Sequence, residues 1–295
     1  NWQKDIFGTT TRIEAYQSIK DKYATRLINI ETEKNINNKT SLTAAYKYRN
    51  QPLNFNFYLL QSDFKKYNWE NSDLSNQEFS TLSLVINHKK FGSIQGEWNL
   101  INNFTFFNNI TPELDLNRKF SAEVFQLNNR IDYFKARMDQ RFDFGKFTLA
   151  NNIQFQKVNQ KGNPQGTIDD PIALNVPKWL IRSTFMLTSS IFNKALFFQS
   201  GLTLVYFTDY FADQYNPLIA EFVTQNLTSI GNYPRVDFFF NAKIQSSRVF
   251  IKLENVSAPV KHLINIDAPY NYYSSPFVPY RDFSVRFGLI WNFFD

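Results

Sequence analysis

The stretch Thr40-Ser41-Leu42-Thr43-Ala44-Ala45-Tyr46-Lys47-Tyr48-Arg49 alternates apolar and polar side chains with a period of two. Successive side chains of an extended chain point to opposite faces. Leu42, Ala44, Tyr46 and Tyr48 therefore share one face, and Ser41, Thr43, Lys47 and Arg49 the other. The same alternation recurs outward in both directions. Ile94, Trp98, Leu100, Phe104 and Phe106 oppose Ser93, Gln95, Glu97 and Asn99. Val236, Phe238, Phe240 and Ile244 oppose Asp237, Asn241, Lys243 and Gln245, and Val249, Ile251 and Leu253 oppose Arg248, Lys252 and Glu254. Near the end, Phe283, Val285, Phe287, Leu289, Trp291 and Phe293 oppose Asp282, Ser284, Arg286 and Asn292.

About thirteen such segments fill the chain, near 8–18, 25–32, 39–49, 53–63, 76–87, 91–107, 121–142, 146–158, 178–191, 195–210, 234–245, 248–258 and 281–294. Most are roughly ten residues or longer, as a tilted membrane-spanning strand must be, whereas soluble sandwiches use strands of about five or six. Counted back from the C-terminus, the links alternate in length. Long links at 259–280, 211–233, 159–177, 108–120 and 64–75 are interleaved with short ones at Ser246-Ser247, Phe192-Asn193-Lys194, Asp143-Phe144-Gly145, His88-Lys89-Lys90 and Asn50-Gln51-Pro52. A transmembrane barrel has this pattern because one rim carries tight turns and the other extended loops. The expected fold is all-β, a transmembrane antiparallel up-and-down β-barrel. Thirteen strands that start on the long-loop side do not close with both termini on one side. Either residues 1–7 hide a strand or further strands precede them, so the expectation is a single barrel domain over 1–295 with at least fourteen strands, its N-terminal part missing. Within 121–142 the apolar phase changes after Tyr133, which points to a β-bulge.

Composition agrees. Of 295 residues, 18% are aromatic (32 Phe, 15 Tyr, 5 Trp) and 20% are charged, at a mean hydropathy of -0.39. Alternation resolves that apparent conflict, since only one face of each strand has to be apolar. No window approaches the ~18 apolar residues that a spanning helix needs. The absence of cysteine removes disulfides, thiol catalysis and thiolate metal sites. The net charge of +6 is scattered, without the basic runs that bind nucleic acid.

The last third carries a more specific signal. It runs Phe197-Phe198-Gln199-Ser200-Gly201, Val205-Tyr206-Phe207-Thr208-Asp209-Tyr210, Tyr215-Asn216-Pro217, Phe222-Val223-Thr224-Gln225 and Gly231-Asn232-Tyr233-Pro234-Arg235-Val236-Asp237. Arg248-Val249-Phe250-Ile251-Lys252-Leu253-Glu254-Asn255 and the closing Arg286-Phe287-Gly288-Leu289-Ile290-Trp291-Asn292-Phe293-Phe294-Asp295 follow. This series resembles the C-terminal part of the "putative porin" family of Bacteroidetes outer membranes, with Asn128-Asn129 and Asn151-Asn152 extending the likeness upstream. The resemblance implies an outer-membrane barrel, a removed signal peptide and a longer full-length protein. Barrels of this kind commonly end in an aromatic residue, whereas this chain ends in Phe294-Asp295.

In a barrel the polar strand faces line the lumen. The pore-lining candidates are Lys47, Arg49, Glu97, Arg182, Asp237, Lys243, Arg248, Lys252, Glu254, Asp282 and Arg286, with a modest basic excess that favours anions. The competing reading is that these charges pair across strands and only hydrate the wall. Phe197, Phe239 and Phe250 share the inward phase and would narrow the lumen. Trp98, Trp179, Tyr206, Tyr210 and Trp291 suit aromatic girdles at the two membrane interfaces. The aromatic loop Ala268–Phe277 reads as a packed outer loop. His88 and His262 fall on opposite rims and cannot share a catalytic site, and Asp169-Asp170 reads as solvated. No phosphate loop or metal-ligand spacing appears, so no enzyme, cofactor or metal is expected. Expected partners are outer-membrane lipid and lipopolysaccharide, with other outer-membrane proteins if the barrel is an accessory subunit of a secretion, assembly or uptake complex.

Overall fold

The structure is a computed structural model, and it describes all residues except 1, 7, 19–23, 64–66, 110–121, 161–171, 194, 261–272 and 292–295. His262, Asp169-Asp170, residues 268–272 of the aromatic loop and the ending Phe293-Phe294-Asp295 lie outside the described residues. One thirteen-stranded sheet dominates. Its strands, in chain and spatial order, are β1 (Trp2–Ile6), β2 (Thr9–Gln17), β3 (Arg26–Asn37), β4 (Thr40–Gln51), β5 (Gln77–His88) and β6 (Gly92–Asn102). They continue as β7 (Ile131–Phe144), β8 (Phe147–Gln160), β9 (Trp179–Ile191), β10 (Leu196–Phe207), β11 (Arg235–Ile244), β12 (Ser247–Glu254) and β13 (Ser284–Trp291). Every neighbouring pair is antiparallel, which is an up-and-down meander.

The links alternate strictly. Short connections at 7–8, 38–39, 89–91, 145–146, 192–195 and 245–246 form one rim, and 18–25, 52–76, 103–130, 161–178, 208–234 and 255–283 form the other. At the two-residue turn 145–146 Gly145 sits at φ 61°, left-handed backbone that favours glycine. The sheet is not closed; β1 and β13 are its two edges. With thirteen antiparallel strands these edges run in the same direction, so a seam joining them directly would be parallel. An all-antiparallel cylinder needs an odd number of strands between them.

Four expectations are corrected. Residues 53–63 alternate apolar and polar but do not join the sheet. Pro52 precedes a one-turn helix, Phe55–Tyr58, whose Asn54 side chain accepts from Asn56 N at 3.3 Å. Leu59–Leu60 then pairs with Trp69–Glu70 in a separate ribbon. Asn50 and Gln51 accordingly end β4 and Pro52 begins a long loop, while the short turn after β3 is Asn38-Lys39. In compensation, Trp2–Ile6 is a strand. Finally, the phase change in 121–142 is no bulge. Ala122–Gln126 and Ile131–Phe144 are separate strands in different sheets, and β7 runs in unbroken register with β6 and β8. Residues 91–107 divide likewise, at Asn103 (φ 55°), into β6 and Thr105–Asn109.

Among the described residues, two buried hydrophobic clusters sit at the long-loop rim. Thr105–Asn109, Ala122–Gln126, Gln214–Asn216 and Glu221–Thr224 form a second, four-stranded sheet drawn from two loops, with one parallel contact between Thr105–Asn109 and Glu221–Thr224. Tyr67, Phe107, Ala122, Ile219 and Val223 are buried together there, with Phe57 and Trp69 packed against them. The long loops thus fold into a cap with a core of its own.

Candidate functional site

The sheet has two chemically distinct faces, and the hydrogen-bond register aligns them from strand to strand. Ile30, Tyr46, Leu82 and Trp98 lie side by side on one face, as do Phe185, Leu202, Phe238 and Leu253. This face is apolar and largely exposed; Phe287 on β13 is 82% exposed. A continuous exposed apolar surface across a whole sheet is intolerable in water and is what hydrocarbon requires. Trp98, Trp179, Tyr206 and Trp291 stand on it, the first three toward the long-loop rim and Trp291 at the short-turn rim. Tyr210 does not. It sits in the 208–234 loop, bridged to Ile230.

The opposite, polar face carries the predicted charges, and the structure divides them into two sets. Lys252 Nζ binds Glu254 at 2.7 Å and lies 3.9 Å from Asp237, while Arg286 binds the other Glu254 oxygen at 2.9 Å. Arg235 adds a 3.7 Å contact to Asp237, giving a chain of three cations and two anions across β11, β12 and β13. Glu97 is bound by Lys135. The second set, Lys47, Arg49, Arg182, Lys243 and Arg248, has no carboxylate within ion-pair distance among the described residues. Arg49 stacks over Phe79 at 4.6 Å, and Lys243 stands directly opposite Arg248 across the last hairpin. Asp282 precedes β13 and belongs to the loop rim rather than to a strand face.

Sequence reasoning missed the most charged strand. On β7, Lys135, Arg137, Asp139, Arg141 and Asp143 all share the polar face and pair as Lys135–Glu97, Arg137–Asp139 and Arg141–Asp143. The signal was legible as charges at every second position, but the assumed bulge put the strand out of phase.

At the long-loop end the polar face turns apolar. Phe79, Ile101, Ile131 and Val158 lie on it, and Phe104, Phe106, Phe125, Leu127, Ala173 and Leu174 from the loops cover them, leaving Ile131 with no exposed surface. The described residues 103–109, 122–130 and 172–178 therefore fold inward over the polar face. The family-like motifs of the last third hold this rim together. Asn255 (φ 56°) donates its N–H to Asp237 at 2.9 Å and its amide to the Arg281 carbonyl at 2.8 Å, and accepts from Tyr233 at 3.0 Å. Asn232 donates to Asp209 at 3.0 Å and accepts from Tyr206. The Gln225 side chain donates to Ala212 O and Thr228 O and accepts from Leu227 N and Thr228 N, so this buried amide is fully satisfied. Among the described residues no cluster of three or more metal-ligating side chains occurs.

This geometry matches known proteins. A family model described as "Putative porin" covers residues 1–295. The chain belongs to that porin family. Three solved structures share the fold of this porin-family chain. The FrpB iron transporter from Neisseria meningitidis matches with a TM-score of 0.57 at 12% identity, over 97% of this chain and 43% of that one. The siderophore receptor PirA from Acinetobacter baumannii gives 0.56 at 13% identity, over 86% and 40%. A variant of the ferric enterobactin receptor from Pseudomonas aeruginosa gives 0.55 at 11% identity, over 86% and 38%. This porin-family chain thus spans about two-fifths of the length of the solved barrels it matches. No curated protein matches it. At these identities the likeness concerns fold alone: an outer-membrane-type β-barrel wall.

Proposed function

We propose that the chain forms part of the wall of a bacterial outer-membrane barrel that passes small solutes passively along its polar face, with a preference for anions. The observation that carries this is the pairing of a continuous, lipid-compatible apolar face with a polar face whose unpaired charges, at Lys47, Arg49, Arg182, Lys243 and Arg248, are all basic among the predicted candidates. Rings of uncompensated charge set the sign of the ions that a pore admits. The apolar face then meets outer-membrane lipid and lipopolysaccharide, and an odd number of further strands closes the cylinder between β13 and β1. The chemistry of the reading requires no catalytic group.

One observation favours a second reading. The inward-folded loops over Ile101 and Ile131 narrow the outer mouth, which suits a plugged barrel serving as a membrane subunit of a larger secretion, assembly or uptake complex. Planar-bilayer recordings of the full-length protein separate the two. Discrete openings with a reversal potential on the anion side in a salt gradient are expected. Correctly folded protein without openings would sink the pore reading and leave the accessory one.

A further inference from the structure

The C-terminal wall carries a feature that charge alone does not explain. Two phenylalanines on the polar face lean away from each other, each over a glycine of the neighbouring strand. Phe250 on β12 faces Gly288 on β13, and a β-carbon at Gly288 would lie 2.3 Å from its Cε1. Phe239 on β11 faces Gly201 on β10, where a β-carbon would lie 2.9 Å from its Cζ. Gly288 is not in left-handed backbone, so the ring, and not the main chain, is what requires a glycine there. An aromatic ring laid across a cross-strand glycine is a known way to hold sheet and ring together.

The two rings diverge, and beside them opens a depression of about 720 Å³ lined by Phe239, Asn241, Phe250, Lys252 and Arg286 of the polar face, with Ile251, Val285 and Phe287 of the same strands also bordering it. One pair down the strands, toward the short-turn rim, Lys243 and Arg248 face each other. Like charges directly opposite destabilise a hairpin. Both sides of the depression are thus bordered by cations, and its lining includes two aromatic rings and the exposed amide of Asn241.

We infer that this depression binds a solute joining a flat or apolar ring to an anionic group, an aromatic carboxylate or an acidic sugar. The ring stacks against Phe239 and Phe250, the anionic group meets Arg286 and Lys252, and Asn241 supplies a donor and an acceptor to ring substituents. Glu254 holds both cations in place without neutralising them, since the linked group of Arg235, Asp237, Lys252, Glu254 and Arg286 carries one surplus positive charge. The inference deepens the proposed anion pathway and rests on it, because it names what the polar face selects.

The test is calorimetric titration of the full-length protein in detergent with four probes, paired with bilayer recordings. Benzoate joins ring to charge, glucuronate joins sugar ring to charge, acetate has charge only and benzyl alcohol ring only. Benzoate or glucuronate is expected to bind at least about tenfold more tightly than acetate and benzyl alcohol, and whichever of the two binds names the source of the ring. Phe250→Ala and Arg286→Gln should each remove that margin. Gly288→Ala keeps every ligand group but displaces the Phe250 ring, and should weaken binding while folding is retained. Acetate binding as tightly as both benzoate and glucuronate, or full binding by Phe250→Ala, overturns the site even where anion-selective openings persist. Binding without any openings keeps the site and removes the pathway.

Discussion

Wall and cap are built from the same aromatic-rich sequence and treat it in opposite ways. In the wall, Leu82, Trp98 and Phe287 are exposed on one face of single-layer strands; in the cap, Phe107, Val223 and Ile230 are almost completely buried. The wall has no core because the bilayer is its second layer. The cap, seated at the long-loop rim, must build its own, from loops that are far apart in sequence. Aromatic content alone does not decide burial; what the opposite side of the element touches does.

The sharpest break in this comparison is expected at Phe107. Its ring stacks on Phe57 at 4.6 Å and meets Trp69 at 5.7 Å. Phe107→Ala should cost about 3–5 kcal/mol of cap stability, whereas Phe287→Ala on the lipid face should leave the cap untouched. Limited proteolysis reads this directly. Rapid cleavage within 52–76 and 208–234 is expected for the first variant only, with heat-modifiable migration of the barrel retained in both. Loops as resistant as in the parent would mean that the cap has no cooperative core.

The next prediction sets the two faces of one strand against each other. Leu84 and Val85 are neighbours on β5; Leu84 pairs with Ala44 and Gly96 on the apolar face, and Val85 with Thr43 and Gln95 on the polar face. Arginine at Leu84 should cost about 2–4 kcal/mol if the site lies near the bilayer midplane, and arginine at Val85 close to nothing. Refolding into lipid vesicles across a denaturant series measures both. Equal costs would mean that the faces are wrongly assigned, and with them the whole pore-lining set.

The wall was legible in the sequence because its rule is local. Period-two alternation around Thr40–Arg49 or Phe283–Trp291 needs no knowledge of what lies elsewhere, and tight turns such as His88-Lys89-Lys90 announce themselves. The cap was not legible, since its rule is non-local. Leu53, Phe55, Phe57 and Leu59 alternate as well as any wall strand, yet Asn54 caps a helical turn there and Trp69 donates to the Asn56 carbonyl at 2.9 Å, contacts that only the folded loop supplies. Ile131 and Tyr133 fell out of phase for the same reason: cap residues cover Ile131, so an apolar side chain is tolerated on the polar face. The charge candidates were legible by type but not by pairing. Lys252 and Glu254 bind each other two residues apart, while Lys243 and Arg248, five residues apart across a tight turn, oppose like to like.

The smallest expected effect concerns where cap and wall join. Tyr210 is held above the ordinary tyrosine value first by burial, then by the negative charges of Asp213 and ionised Tyr280. Tyr280 is raised by burial and partly restored by Arg235, whose guanidinium lies 5.4 Å from its ring centre. A phenol whose folded pKa exceeds its unfolded value of ~10 contributes stability that is complete below that pH and is lost as pH rises through the folded value. Ionisation at this junction should therefore loosen the cap only at strongly alkaline pH. Phenolate absorbance should show the late group, and Tyr210→Phe should remove it and shift the alkaline loss of loop protection upward. An unchanged titration in that variant would mean that Tyr210 is solvated and that the cap does not close over the end of β10.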